Sequence, residues 1–428
     1  MRILRRGSRG TDVAEVQNRL IQLGYNPGSA DGIFGSATET AVKRFQRDRG
    51  FAPDGIVGSL TYNAMFQSDY IIYTIKEGDT FNKLATRFKV SLDQIKSANP
   101  GVDPNQLRMG QKVNIPKRPK RHTVSAWVPY WKQEESMAVV RKHADLITTI
   151  SPFWYGFNST GDLIAYPNSE DSSVIQFARN NKIELIPLIA NNFDKRLVST
   201  VLNDPALRSR HIQNIVNKVT QMNYDGIEID YENVPAEDKD LFVRFLRELK
   251  AALAPHNKKL YAAIQARTSA YESGSSAGHD YPGIGEAVDI VRLMLYDYSW
   301  DTPGPIAPVH WVRQVLDYAV SVIPRSKLEA GLPTYGYDWG RQRVGVSYEV
   351  AIRRAHQHRA EITEDAYNGP HFHYTADNGV EHQVWFTDAV NFASFIDLVN
   401  NYDIHGISIW YPGEDDPDIY YEIWARLD

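Results

Sequence analysis

The sequence has no cysteine among its 428 residues, which excludes disulfide bonds and thiolate metal sites. It also has no apolar run that approaches the roughly 18 to 20 residues needed to span a bilayer. The first residues, MRILRRGSRGTDV, lack the apolar segment of a secretory signal. We therefore expect a protein that is made in the cytosol without an evident signal peptide and is not inserted into a membrane.

Charge is distributed unevenly along the chain. Residues 1–121 carry 20 Lys and Arg against 11 Asp and Glu, a net charge of +9, whereas the remainder carries 27 against 41, a net charge of −14. A basic first part favours an anionic polymer as partner, either nucleic acid or an anionic cell wall. The 24 Tyr and 9 Trp supply the kind of aromatic surface that binds sugars.

A short pattern occurs twice near the start of the chain, as DGIFG at 31–35 and DGIVG at 54–58. Asp and Gly supply turn chemistry, and the segments between have apolar residues at helical spacing, so we expect three short helices over residues 1–67. A structural cap without a ligand would show the same pattern. The succession of LRRGSRGTDVAEVQNRLIQLGY, DGIFGSATETAVKRFQ and DGIVG, however, resembles the peptidoglycan-binding-like domain of bacterial cell-wall hydrolases.

Residues 70–117 are expected to form a second small module, with two short strands that flank two helices. The stretch from YTIKEGDT to ANPG and GQKVNIP resembles a lysin motif (LysM) over its whole length. That resemblance implies binding to chains that contain N-acetylglucosamine, in peptidoglycan or chitin, so a wall polymer is favoured over nucleic acid. The basic linker KRPKR at 117–121 is typical of a solvated hinge.

The remaining residues, 122–428, alternate between strand-like and helix-like segments. The eight candidate strands are TVSAWVP at 123, LITTISPF at 146, KIELIPLIA at 182, YDGIEIDYE at 224, KLYAAIQAR at 259, VDIVRLMLYD at 288, KLEAGLPTY at 327 and IHGISIWY at 404. Eight alternations in about 300 residues predict an α/β fold, a (β/α)8 TIM barrel. The stretch from Gly340 to about Val384 is expected to be an elaborated loop that forms one wall of the cleft.

The fourth candidate strand contains three acids, Glu228, Asp230 and Glu232, at alternate positions. Side chains alternate between the faces of a strand, so the three carboxyl groups share one face, with Cα atoms roughly 6.6 Å apart. On an edge strand this face would meet water, but in a barrel it must face the lumen if the isoleucines meet the helices. Because active sites lie at the C-terminal ends of barrel strands and crowding raises carboxyl pKa values, Glu232 is a candidate general acid.

The stretch DGIEIDYE resembles the signature of glycoside hydrolase family 18, the chitinases and related N-acetylglucosaminidases, which is written D-G-x-D-x-D-x-E. Asp225, Gly226, Asp230 and Glu232 match, and Glu228 stands where the family has Asp. The extra methylene of Glu228 bears on whether Asp230 can swing between two partners, as the family model supposes.

Other matches are spread across residues 122–428. They are MLYD at 294–297, ISIWYPG at 407–413, GLPTYGYDW at 331–339 and HQVWFTDA at 382–389. The last two are most similar to the subgroup that includes the spore cortical fragment-lytic enzymes. The Ser-x-Gly-Gly pattern of the family's third strand is replaced by PLIANN at 187–192.

The resemblance implies substrate-assisted catalysis, in which the 2-acetamido oxygen of the sugar is the nucleophile. Glu232 would then be the general acid and base, Asp230 would accept the acetamido N–H, and Tyr296 would donate its hydroxyl to the same group. Glu228, at the second acidic position of the signature, completes the catalytic set.

The resemblance and the strand ends also indicate residues that bind the sugar. Trp410 would lie under the sugar ring, and Asp297, Gln265 and Asn191 are candidate partners for hydroxyl groups. Aromatic residues that could line further subsites are Tyr130, Trp131, Trp300 and Trp339.

The sequence therefore favours a retaining N-acetylglucosaminidase that cleaves peptidoglycan, with spore cortex as substrate and a location in the spore envelope or cell wall. The alternatives are a chitinase and a catalytically silent wall-binding or coat protein. The histidines of HFH at 371–373 are weak evidence for zinc, and no nucleotide-binding motif follows a strand, so we expect no metal and no cofactor. The protein is expected to act as a monomer.

Overall fold

The computed structural model describes residues 2–22, 25–48, 52–58, 61–62, 65, 70–271 and 274–428. The chain divides into two compact units. The first consists of Met1–Phe81, Leu92–Lys117 and Asp171–Ile183, and the second of Asn82–Ser91, Arg118–Glu170 and Glu184–Asp428. No helix within the described ranges is long and apolar enough to cross a membrane.

The N-terminal part of the first unit is built on two helices, α1 (Thr11–Gln22) and α2 (Ser36–Asp48). Their apolar positions recur at helical spacing and are buried together with residues from the turns. The buried cluster consists of Leu4, Val13, Val16, Leu20, Phe34, Ala41, Val42, Phe45, Val57 and Met65. The third expected helix would follow residue 58, where most of the chain lies outside the described residues.

The repeated Asp-Gly-Ile turns are each held by a glutamine. Nε2 of Gln17 donates to Oδ1 of Asp31 at 3.0 Å, and Nε2 of Gln46 donates to Oδ1 of Asp54 at 2.7 Å. In both turns the following glycine has positive φ and donates its N–H to Oε1 of the same glutamine. The sequence repeat is therefore a repeat of one hydrogen-bonded unit.

The second small module has the expected order of strand, helix, helix and strand, which is confirmed. Its elements are β1 (Tyr70–Thr74), α3 (Phe81–Arg87), α4 (Leu92–Ala98) and β2 (Lys112–Pro116). The two strands pair antiparallel. Asn99, in the Asn-Pro step after α4, donates Nδ2 to the main-chain O of Asn114 at 2.7 Å and accepts the N–H of Asn114 at 2.8 Å. This residue therefore ties the end of α4 to β2.

The second unit contains a closed parallel barrel, as predicted. Its strands are β3 (Thr123–Pro129), β4 (Thr149–Phe157), β6 (Glu184–Leu185) continued by β7 (Leu188–Ala190), β8 (Gly226–Asp230), β9 (Lys259–Gln265), β10 (Ile290–Met294), β11 (Leu328–Pro333) and β16 (Gly406–Trp410). Each strand pairs in parallel with its neighbours, and β3 pairs with both β4 and β16, which closes the barrel. The short strand β5 (Leu163–Ala165) pairs antiparallel with β4.

Helices lie between these strands along the chain. They are α5 (Gln133–Lys142), α6 (Ser172–Asn181), α7 (Lys195–Asn203), α8 (Pro205–Gln221), α9 (Lys239–Leu253), α10 (Tyr281–Ala287), α11 (Val309–Val322), α13 (Ala389–Tyr402) and α14 (Ile419–Arg426). In α9, Phe242, Phe245 and Leu249 are fully buried, as their spacing along one helical face indicates.

The third and fourth strands differ from the sequence expectation in their extent. The third is interrupted at residues 186–187, because Pro187 has no N–H to donate. The fourth, β8, ends at Asp230, so Glu232 lies two residues beyond the strand instead of closing it.

The chain between β11 and β16 forms a folded insertion, not a loop, and it begins at Tyr335, before the expected Gly340. Its elements are β12 (Tyr335–Trp339), β13 (Arg343–Ser347), α12 (Tyr348–His358), β14 (His371–Thr375) and β15 (Glu381–Trp385). The strands form an antiparallel sheet in the order β13, β12, β15, β14. Its own apolar cluster contains Val346, Ala351, Ala355, Phe372, Val384 and Phe386.

Candidate active site

Strand β8 directs its alternate acidic residues into the barrel lumen. The carboxylate of Glu228 contacts Arg292 of β10, two strands from β8, and Trp127 of β3, three strands from β8 on the other side. The intervening Ile227 and Ile229 are also fully buried. The alternation seen in the sequence therefore separates a polar lumen face from an apolar face.

Glu228 is held in a fully buried ionic cluster. Its Oε2 lies 2.6 Å from Nη1 of Arg292, and its Oε1 accepts Nε1–H of Trp127 at 3.0 Å. Nε of Arg292 also donates to Oε2 of Glu329 at 2.8 Å. Burial lowers the pKa of Arg292, but the two carboxylates outweigh it and raise that pKa, so the guanidinium stays charged.

Glu228 is therefore not a third carboxyl group of the catalytic cavity. It is not one of the residues that line the cavity, whereas Asp230 and Glu232 are. Three carboxyl groups were expected to crowd together, but only Asp230 and Glu232 of the three lie at the cavity, because Glu228 pairs with Arg292. The signal for this in the sequence is a lone arginine in the apolar stretch VDIVRLMLYD.

Asp230 is 5% exposed and lines the cavity. Among the described residues, its Oδ1 has no hydrogen-bond partner. Burial raises the pKa of Asp230 well above its usual value, and the charges of Glu232 and Glu228 raise it further. A buried acceptor of this kind is suited to an N–H group of a ligand.

Glu232 lies beside Asp230 and keeps a proton near neutral pH. Burial raises its pKa to about 7, and the charge of Asp297 adds to the effect. Nε2 of Gln265 donates to Oε2 of Glu232 at 3.3 Å and opposes the shift. Close carboxyl groups titrate as a pair, so Asp230 and Glu232 together hold a proton in the pH range of a general acid.

The cavity above these residues has a volume of about 650 Å³ and is rich in aromatic side chains. Those that line it are Trp127, Tyr130, Trp131, Phe153, Phe193, Tyr296, Trp300, Tyr335, Tyr337, Trp410 and Tyr411. The insertion contributes two of them from β12, so it forms one wall of the cleft. An aromatic cleft with a few polar groups at its base is suited to a carbohydrate.

Trp410 and Tyr296 lie on the floor of this cavity. Their rings are stacked, with centroids 6.3 Å apart and an angle of 15° between the planes. Trp410 also meets Trp127 edge to face at 6.0 Å. Burial raises the pKa of Tyr296 well above its usual value, and the charges of Asp230 and Glu232 add to this, so its hydroxyl remains a proton donor.

Asp297 is fixed by two tyrosines that the sequence did not single out. Its Oδ1 accepts the hydroxyl of Tyr335 at 2.5 Å and that of Tyr337 at 2.9 Å. Burial raises the pKa of Asp297, and the two hydroxyl groups oppose the shift. The Tyr-Gly-Tyr stretch was the available signal, because alternate residues of β12 present both rings on one face.

The other aromatic residues predicted to line subsites fall into two groups. Tyr130 lines the cavity and stacks on Tyr166, with centroids 4.8 Å apart, and Trp131 and Trp300 also line the cavity. Trp339 does not line it and is 7% exposed within the insertion.

Asn191 lines the cavity, but its contacts do not favour the expected role of hydroxyl partner. Its Oδ1 accepts the main-chain N–H of Glu232, and its Nδ2 donates to the main-chain O of Glu232, both at 2.8 Å.

The barrel is closed and parallel, and a pair of acids lies at the C-terminal end of its fourth strand, below an aromatic cleft. This combination is typical of the class of barrel glycosidases. The family model for glycosyl hydrolases family 18 matches residues 126–415, so the chain belongs to this family and is a glycosidase. Residues 9–65 match the PG_binding_1 family of peptidoglycan-binding domains, and residues 73–116 match the LysM domain.

Known proteins that are similar to this chain include enzymes named for the spore cortex. The cortical fragment-lytic enzyme of Bacillus subtilis (strain 168) is 29% identical over 407 residues, which cover 80% of this chain and 94% of that protein. The crystal structure of the spore cortex-lytic enzyme SleL of Bacillus megaterium QM B1551 matches with a TM-score of 0.69 and 27% identity, over 83% of this chain and 86% of that one. A chitinase from Chromobacterium violaceum ATCC 12472 matches with a TM-score of 0.67 and 26% identity, over 72% of this chain and 99% of that one.

Proposed function

We propose that the protein is a retaining N-acetylglucosaminidase that cleaves the β-1,4 bond after N-acetylglucosamine in peptidoglycan, with spore cortex as its substrate. The names of the similar enzymes and the two wall-binding matches support this polymer. The observation that carries the mechanism is the pair formed by Glu232 and Asp230, in which Asp230 keeps an unpartnered buried oxygen at the cavity.

We assign the nucleophile to an oxygen of the substrate, because neither Asp230 nor the neighbouring acids Glu228 and Asp297 are placed for that task among the described residues. Asp230 lies two residues before Glu232, beside it at the base of the cavity, and approaches the sugar from the same side. Glu228 is paired with Arg292 below the cavity, and Asp297 is bound by two tyrosine hydroxyls. The 2-acetamido group of the sugar supplies the missing nucleophile, as in other substrate-assisted glycosidases.

In the first step, Glu232 transfers its proton to the glycosidic oxygen as the bond from C1 to that oxygen breaks. The acetamido carbonyl oxygen forms a new bond to C1 from the opposite face, which gives a cyclic oxazolinium ion. Asp230 accepts the acetamido N–H and stabilises the positive charge of the ring. The hydroxyl of Tyr296 donates to the acetamido group and holds it in the attacking position.

In the second step, the Glu232 carboxylate takes a proton from water. The water oxygen bonds to C1 from the face that the leaving group has vacated, and the bond between C1 and the acetamido oxygen breaks. The acetamido group is restored, Glu232 is again protonated, and two inversions leave the configuration at C1 unchanged.

Sugar binding is assigned to the floor and walls of the cavity. Trp410 packs against the apolar face of the sugar ring, and Tyr130 lines a neighbouring subsite. Asp297 accepts hydrogen bonds from hydroxyl groups of the sugar. Gln265 is assigned a contact to a hydroxyl group as well, although it is not among the residues that line the cavity and its Nε2 donates to Glu232.

The two N-terminal matches explain how a weakly bound catalytic cleft could remain on an insoluble polymer. Tethering raises the local concentration of the cleft near its bonds, so each module need bind only weakly. A protein of this kind belongs at the spore envelope or cell wall.

The assignment of Glu232 is tested by Glu232→Gln, which keeps the size of the side chain but removes the proton donor. Release of reducing ends from cortex fragments should be almost abolished, while binding to intact cortex is retained. Glu286→Gln is the matched control, since Glu286 is exposed and pairs with Arg247 on the surface. Undiminished turnover by Glu232→Gln would refute the assignment.

The identity of the substrate polymer is tested by mass spectrometry of digested cortex. We expect N-acetylglucosamine at the new reducing ends. Faster hydrolysis of chitin oligomers than of cortex fragments would favour a chitinase. A wild-type protein that binds cortex without shortening it would be a catalytically silent binder.

A further inference from the structure

The main chain at Glu232 lies outside the regular barrel sheet. Strand β8 ends at Asp230, where Ala190 of β7 is its last partner in the ladder. Within the described residues, Glu232 makes no backbone-to-backbone hydrogen bond. The position of its carboxyl group therefore depends on side chains that hold the loop.

Asn191 supplies the hydrogen bonds that a neighbouring strand would otherwise provide. It follows directly after β7 and is 1% exposed. Its amide accepts from the N–H and donates to the C=O of Glu232, both at 2.8 Å. The N–H and C=O of one residue in an extended chain point the same way, and a primary amide offers the matching donor and acceptor.

A second contact holds the same loop from the other side. Nε2 of His279 lies 2.9 Å from the main-chain O of Tyr231, and its Nδ1 accepts the N–H of Gln265 at 3.1 Å. Gln265 is the residue whose amide contacts the carboxyl group of Glu232. The loop is thus fixed from β7 by Asn191 and from β9 through His279.

We infer that Asn191 is a positioning residue for Glu232, an inference that rests on the proposed role of Glu232 as general acid. Asparagine alone satisfies both main-chain groups at this distance. Aspartate has no donor for the C=O and adds a negative charge beside Glu232, alanine has neither group, and glutamine is one methylene too long. Asn191 acts through the catalytic acid and does not touch the sugar.

The test compares the kinetics of Asn191→Ala and Asn391→Ala on soluble cortex fragments. Asn391 is a matched control, because it is 2% exposed and its Nδ2 donates to a main-chain oxygen, that of Ala366, in another part of the barrel. Asn191→Ala should lower kcat about a hundredfold with KM changed by less than about threefold, since a displacement of the acid weakens only the chemical step. Asn391→Ala should lower Tm and leave kcat unchanged.

Asn191→Asp keeps the volume of the side chain and the oxygen that accepts the N–H of Glu232. This variant tests the positioning role if Asn191→Ala does not fold. Its kcat should fall, and the alkaline limb of its pH profile should move to higher pH, because the added charge raises the pKa of Glu232. A raised KM with normal kcat would overturn the inference and make Asn191 a substrate ligand. Losses of kcat no larger than that of the control would leave it a purely structural residue, which also overturns the inference. Neither result would affect the role of Glu232, which the Glu232→Gln variant tests separately.

Discussion

Oε2 of Glu228 lies 2.6 Å from Nη1 of Arg292, and neither side chain is exposed. The family pattern has Asp at position 228, and here the longer side chain of Glu is paired with the guanidinium of Arg292 on β10, two strands from β8. Glu228 is therefore committed to Arg292 and Trp127, and it is not free to exchange a proton with Asp230. In the proposed mechanism, the acid–base chemistry is therefore assigned to Asp230 and Glu232.

Removing the cation from this buried cluster should be strongly destabilising, because it leaves uncompensated buried charges. Arg292→Met leaves Glu228 and Glu329 buried without their cation, so we expect a loss of about 3 to 5 kcal/mol in the free energy of unfolding. Arg210→Met is the control, because Arg210 pairs with Asp162 at the surface and should cost at most about 1 kcal/mol. Urea unfolding measures both, and equal effects would contradict the structural role assigned to Arg292.

The pH dependence should follow the proton on Glu232. A general acid works only when it is protonated, so kcat/KM should fall as the pH rises through about 7, the raised pKa of Glu232. Asp297→Asn removes a charge that raises this pKa and should move the alkaline limb to lower pH. Gln265→Leu removes a hydrogen bond that lowers it and should move the limb to higher pH. Shifts in the same direction for the two variants would show that Glu232 does not set the limb.

The acetamido group of the substrate should be indispensable. A glycan whose N-acetyl groups have been removed lacks the nucleophile, so the wild-type enzyme should not cleave it at a measurable rate. It should still compete with the acetylated glycan of the same length, since the aromatic contacts to the ring remain. Rates on the two glycans can be compared by counting reducing ends, and similar rates would point to a nucleophile in the protein.

The sequence was sufficient to predict the barrel, because eight apolar segments alternate with helical patterns and this regularity has few structural solutions. It also predicted that Asp230 and Glu232 lie together, since neighbours on one strand face need no knowledge of other strands. The partners of Glu228 and Asp297 were missed for the opposite reason. Arg292 and Tyr335 come from distant segments, and only the closed topology brings them to these acids.

Local extents were predicted less well than the order of elements. Pro187 interrupts the third strand, and β8 ends before Glu232, so the loop that carries Glu232 depends on side-chain hydrogen bonds that apolar patterning does not reveal. The stretch from Gly340 to about Val384 was expected to be an elaborated loop, because the apolar alternation of its strands is short and mixed with polar residues.

The most direct test of the account is the configuration of the product when it first forms. Proton NMR of the reaction on a soluble cortex fragment, recorded before mutarotation, reports the anomer at the new N-acetylglucosamine end. Attack by the acetamido oxygen followed by water predicts the β-anomer. An initial α-anomer would mean direct attack by water on the bond, and it would contradict the substrate-assisted mechanism at Glu232 and Asp230.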